Sequence, residues 1–132
     1  MLRNRGLTEK VMILGVDGMD PRFTRRMLRE GKMPNTQKLI DAGACREDLM
    51  LLGANPTITP PLWATLATGA YPMTHGIFDY AISGDPHKEI TINAFSSAFM
   101  TAEPIFNVTA KEGINTLVFH WPGGSWPPTV DN

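Results

Sequence analysis

The stretch Val11–Val16, "VMILGV", constrains the fold more than any other part of the chain. It is a short, continuous apolar run without polar alternation, which suits a strand buried on both faces of a sheet. Such a strand needs a neighbour on each side and helices above and below. The turn signature "DGMDP" follows, and Asp20-Pro21 then reads as a helix N-cap with Pro at the first helical position. That helix runs to about Glu30 and stops at Gly31. "MPNTQKLIDAGA" starts a second helix, with Asn35 or Thr36 as cap, Leu39 and Ile40 facing inward and Gly43 as C-cap.

Leu49–Leu52 has the apolar character of a second strand, leading into "NPTITPPLWATLATG". There Thr59 caps a helix beginning at Pro60, and Trp63, Leu66, Ala67 and Ala70 fall at i, i+3, i+4 and i+7. "YPMTHGIFDY" is turn-rich, "SGDPHK" a loop, and "EITINAF" alternates as a strand does. Ala102–Glu112 has a helical pattern ended by Gly113, "INTLVFH" is another buried strand, and "WPGGSWPPTVDN" is loop. Strands alternating with helices give an α/β reading, a largely parallel sheet flanked by helices. The sequence stops in a Pro/Gly-rich loop just after a strand, where an α/β unit would continue. Residues 1–132 therefore read as the N-terminal portion of a single larger domain, truncated at its C-terminus.

Bulk properties exclude several classes. At 132 residues and 42% hydrophobic, the chain can bury one real core. Cys45 is the single cysteine, so there is no internal disulfide and no cysteine zinc cluster; it reads as a small buried apolar residue. Net charge is −1, but eight of the twelve Lys/Arg lie in residues 1–32. Arg22, Arg25, Arg26 and Arg29 share one helix and read as its solvated face, because no nucleic-acid-binding motif or interleaved aromatics accompany them. The longest apolar run is far below a membrane span, and no signal-peptide core or cleavage site is present, which reads as cytoplasmic.

In open α/β sheets ligands gather at the carboxyl ends of strands. Asp17 ends the first strand and Thr59 follows the second, so both are expected at one sheet edge. A helix N-terminus offers N–H groups and a positive dipole to an anion. A divalent metal beside one carboxylate would lower the pKa of a hydroxyl and make it a nucleophile. On the residues alone, Asp17 reads first as a turn residue and Thr59 first as a cap.

"VMILGVDGMDP", "MPNTQKLIDAGA" and "PTITPPLWATLATGAYPMTHGIFDY" together closely resemble the type I phosphodiesterase/nucleotide pyrophosphatase family of the alkaline phosphatase superfamily. The resemblance covers most of residues 11–80, and "INTLVFHWPGGSWPPT" is similar to the family's next strand and loop. It implies an alkaline-phosphatase-like catalytic domain, hydrolysis of small-molecule phosphate esters, two divalent metal ions (usually zinc), and a covalent phospho-threonine intermediate. In the family's register the first metal-binding aspartate falls on Asp17 and the nucleophile, itself beside the metals, on Thr59. Thr57 keeps a loop role. His75 matches a position that is not a metal ligand and reads as structural, bonding the turn at Gly76. His87 and His120 have no ligand spacing.

Two departures stand out. Where the nucleotide pyrophosphatases place an Asn that contacts the phosphoryl oxygen, this chain has Tyr80, whose phenolic O–H is able to donate a similar bond. The remaining Asp and His metal ligands of the family fall beyond Asn132, so the 132 residues alone are expected to be inactive. A sulfatase is disfavoured, since Cys45 is followed by "REDL" rather than by a Cys/Ser-x-Pro-x-Arg block. Phosphomutase and phosphonate hydrolase relatives share the metal core, and a non-catalytic α/β binding module is the alternative of a different class.

Overall fold

The computed structural model describes residues 8–46, 57–83 and 91–124. The chain divides into two compact units, Met1–Asp48 and Leu49–Asn132.

In the first unit, Asp17 and Gly18 form the expected turn, with Gly18 at φ +64°, a conformation that favours glycine. Helix α1, Pro21–Arg29, begins at Asp20, whose Oδ1 accepts the Phe23 N–H at 2.6 Å. The buried Thr24 donates its hydroxyl back to Asp20 O at 2.8 Å. The helix closes in a Schellman arrangement: Lys32 N donates to Met27 O and Gly31 N to Leu28 O, with Gly31 left-handed. All four arginines of α1 are exposed, as their spacing suggested. Arg26 lies 5.2 Å from the Phe23 ring centroid and 4.0 Å from Glu30, contacts worth little at such exposure.

Helix α2, Pro34–Ala42, is capped by Met33 rather than by Asn35 or Thr36, which lie inside its first turn. Pro34 at the first position fixes that start. Ile40 is half-buried, sharing a stripe with Met33 and Thr36, but Leu39 sits one residue off that stripe and is 72% exposed. Val11–Val16 is not a strand here. It is exposed throughout and has no ladder partner among the described residues. A doubly buried strand is stable only between hydrogen-bonded neighbours, and this segment has none within them. Cys45 is exposed, not buried.

The second unit is built on α3, Thr59–Thr68. Its buried face is Pro60, Pro61, Trp63, Ala64 and Ala67. The expected stripe is thus rotated: Ala64 replaces Leu66, which is exposed. The small alanine side chains allow close packing, and Ala64 joins Ile77 and Ala94 in a core flanked by Phe99 and Met100. Gly69 ends α3 in the left-handed conformation. One helical turn, α4 (Pro72–His75), and then Gly76 redirect the chain into β1, Ala81–Ser83.

β1 pairs antiparallel with β2, Thr91–Asn93, with Ile82 opposite Ile92. This is the only sheet among the described residues, so the parallel sheet read from sequence is not what they form. A 3-10 turn at Ser97–Phe99 leads to α5, Ile105–Lys111, which buries Phe106 and packs on α3. The Trp63 and Trp121 rings meet edge to face at 5.0 Å. The second expected buried strand, from Ile114, is irregular and exposed, with Leu117 at 90%. Leu49–Leu52 and residues 125–132 of the final loop lie outside the described residues.

Candidate active site

Thr59 is the first helical residue of α3, and the cap position belongs to Ile58, one residue earlier than expected. The double proline explains why. An N-cap side chain accepts from the N–H two or three residues on. Two residues beyond Thr59 is Pro61, which has no N–H, and three beyond is Leu62, whose N–H donates to Ile58 O at 3.3 Å. The prolines also remove two of the donors that a helix N-terminus normally offers an anion, so this end presents chiefly its dipole.

The Thr59 hydroxyl instead meets a side chain from 21 residues on: the Tyr80 O–H donates to Thr59 Oγ1 at 3.0 Å. Tyr80 is held on both sides of its backbone. Its N–H donates to Asp79 Oδ1 at 2.7 Å, and its carbonyl accepts the Ala94 N–H at 3.0 Å, extending the β1–β2 pairing by one residue. The ring meets Phe95 at 6.0 Å in a tilted edge contact. The sequence offered the Tyr80 phenol as a donor in place of the family's phosphoryl-contacting Asn and did not foretell that its partner is the Thr59 hydroxyl; Phe95 was missed altogether. The alternation of "EITINAF" was the available signal, since a hairpin there brings Phe95 alongside Tyr80.

His75 is fully buried beneath this corner. Its Nδ1 accepts the Ile77 N–H at 3.1 Å, as expected for a histidine that bonds the turn at Gly76. The neutral ring must then carry its proton on Nε2, which contacts Thr65 Oγ1 at 3.1 Å. Burial pushes the imidazole below its usual pKa, opposed more weakly by backbone hydrogen bonding at Pro61 and at His75 itself. The ring therefore fastens α4 to α3 as a neutral strut. Thr101 closes the same corner: its N–H donates to His75 O and its hydroxyl to Thr74 O.

Asp17 lies exposed in the first unit, in its turn with Gly18. His120 is exposed, with φ +49° and its ring against Phe119. His87 lies outside the described residues. Among the described residues, no group of three or more His, Cys, Asp or Glu gathers that would hold a metal ion. Nor, among them, is any helix long and apolar enough to cross a membrane.

The hydroxyl at Thr59 is thus set at a helix start inside the sequence blocks quoted above, and comparison with known proteins assigns those blocks. Residues 11–131 match type I phosphodiesterase/nucleotide pyrophosphatase. The chain belongs to that family. Among the family's curated members, venom phosphodiesterase 2 of Crotalus adamanteus is 31% identical over 111 residues, 76% of this chain and 13% of that protein. Ectonucleotide pyrophosphatase/phosphodiesterase family member 3 of Mus musculus is 25% identical over 132 residues, 92% of this chain and 15% of that protein. Family member 1 of Homo sapiens is 29% identical over 122 residues, 88% of this chain and 12% of that protein. This member of the phosphodiesterase family therefore spans between about an eighth and a seventh of the length of these relatives. Membership implies the alkaline-phosphatase-like α/β fold, of which the described residues show the helices. No solved structure matches the chain significantly.

Proposed function

We propose that this chain carries the nucleophile and the first metal ligand of a metal-dependent phosphate-ester hydrolase of the phosphodiesterase/nucleotide pyrophosphatase type. The observation that carries this reading is the Thr59 hydroxyl at the start of α3, engaged by Tyr80 within the family-matched segment. Thr59 Oγ1 attacks phosphorus and the Oγ1–P bond forms as the bond to the leaving alkoxide breaks. The Thr59 proton passes to solvent, and the alkoxide takes up a proton. Water then hydrolyses the phospho-threonine, returning the hydroxyl and releasing the phosphate product.

Two divalent metal ions, zinc by family resemblance, would stabilise the attacking and leaving oxygens. The fit of this chain to them is partial. A carboxylate at Asp17 and a hydroxyl at Thr59 are suitable oxygen donors, but a zinc ion takes about four ligands, and the described residues contain no cluster of three. By the same ligand count, the 132 residues alone bind zinc weakly and do not turn over substrate. In the same reading, Val11–Val16 and the run from Ile114 are each strands in the complete catalytic domain.

Variants of the full-length, metal-loaded protein acting on bis-p-nitrophenyl phosphate test the assignment. Thr59→Ala is expected to stay folded and lose orders of magnitude in rate, Thr59→Ser to keep substantial activity, and Thr57→Ala to keep most of it. Near wild-type hydrolysis by Thr59→Ala, or robust turnover by the isolated 132 residues, would contradict it.

A further inference from the structure

The Tyr80–Thr59 hydrogen bond has a property that a mere surface contact lacks, because its donor is fixed before any substrate arrives. The Tyr80 backbone is held through Asp79 Oδ1 on one side and the Ala94 N–H on the other. Its ring rests on Phe95, and the residue is about half-exposed. The branched Cβ of threonine leaves it few χ1 rotamers, and a hydrogen bond received at Oγ1 favours the one in which that bond forms.

We infer that Tyr80 is a positioning residue for the nucleophile: its O–H selects the Thr59 rotamer in which Oγ1 faces the substrate side of α3. The inference rests on the reading of Thr59 as nucleophile. Tyr80 is the donor in this contact and keeps its own proton, so it does not act as the base. Its contribution is to hold the attacking oxygen where an incoming phosphorus meets it. Displacing a reacting atom by about 1 Å is enough to cost roughly 100-fold in rate. A positioning role of this kind acts on kcat rather than on substrate binding.

Steady-state hydrolysis of bis-p-nitrophenyl phosphate by the full-length, metal-loaded protein tests this with four variants: Tyr80→Phe, Thr59→Ser, the two combined, and Thr59→Ala. Tyr80→Phe retains the ring and its Phe95 contact, and a melting curve close to wild type confirms an intact fold. Its kcat should fall about tenfold or more while KM changes little. Serine lacks the branching methyl and has more rotamer freedom, so Tyr80→Phe should cost more in the Thr59→Ser background than alone. An unchanged kcat for Tyr80→Phe overturns the positioning role. So do equal losses in the two backgrounds, because a phenol acting on the substrate directly would give additive effects. If Thr59→Ala retains the wild-type rate, the nucleophile reading itself falls and this inference with it. An inactive Thr59→Ala beside a fully active Tyr80→Phe overturns the inference alone.

Discussion

At the scale of single residues, His75 shows how one side chain supports the candidate site without entering the chemistry. Its Nδ1 accepts from the Ile77 N–H, so protonating that nitrogen would place two donors face to face. Burial lowers the folded-state pKa below the ordinary value of 6.5, so the unfolded chain takes up its proton first as pH falls. The contribution of neutral His75 is therefore fully present above about pH 6.5 and is lost as pH drops toward the folded pKa, by at most about 1.4 kcal/mol per pH unit. Urea unfolding between pH 7.5 and 5.5 should show this loss, and His75→Gln should flatten the slope. An identical pH slope in the variant would show that His75 is not its source. The structural role of His75 was legible in the sequence because a His-Gly pair at a turn has few partners to choose from. Its contact with Thr65 was not, because it depends on how α4 packs against α3.

At the scale of elements, the Gly76 turn is the part of the second unit least tolerant of change. Gly76 has φ +80°, and a Cβ there would sit 3.2 Å from Phe99 O and 3.2 Å from Thr101 Oγ1. Gly113 has φ +71° with nothing near an added Cβ. Gly113→Ala should thus cost only the left-handed backbone penalty of about 1–2 kcal/mol, and Gly76→Ala measurably more. Thermal unfolding of the two variants side by side checks the order; equal losses would mean that the Phe99–Thr101 segment yields freely. The helices were the most readable elements, because Asp20-Pro21 and the Gly31, Gly43 and Gly113 stops are local chemistry, although the cap of α2 was placed at Asn35 or Thr36 rather than at Met33. The face that each helix buries was read less well. Leu39 and Leu66 are apolar at helical spacing, yet packing selected Ile40 and Ala64 beside them. Which residues face inward depends on neighbouring elements, and spacing within one helix does not contain that information.

At the scale of the whole molecule, the apolar runs Val11–Val16 and Ile114–Phe119 read as buried strands but are exposed among the described residues, with Met12 at 89%. A doubly covered strand owes its stability to neighbours that its own sequence does not contain. The same holds for chemistry. Asp17 and Thr59 were singled out from their places after expected strands and from family blocks, whereas the Tyr80–Thr59 bond emerged only once the hairpin was folded. Since the chain covers 13% of the venom phosphodiesterase it resembles, the activity proposed for it belongs to the complete protein. The most direct test is to mix full-length, metal-loaded protein with bis-p-nitrophenyl phosphate, quench in acid within one turnover, and map the modified peptide by mass spectrometry. The expected result is a phosphoryl adduct on Thr59 that is absent from Thr59→Ala. An adduct on another residue, or single-turnover product release with no adduct formed, would contradict the assignment of Thr59 as the nucleophile.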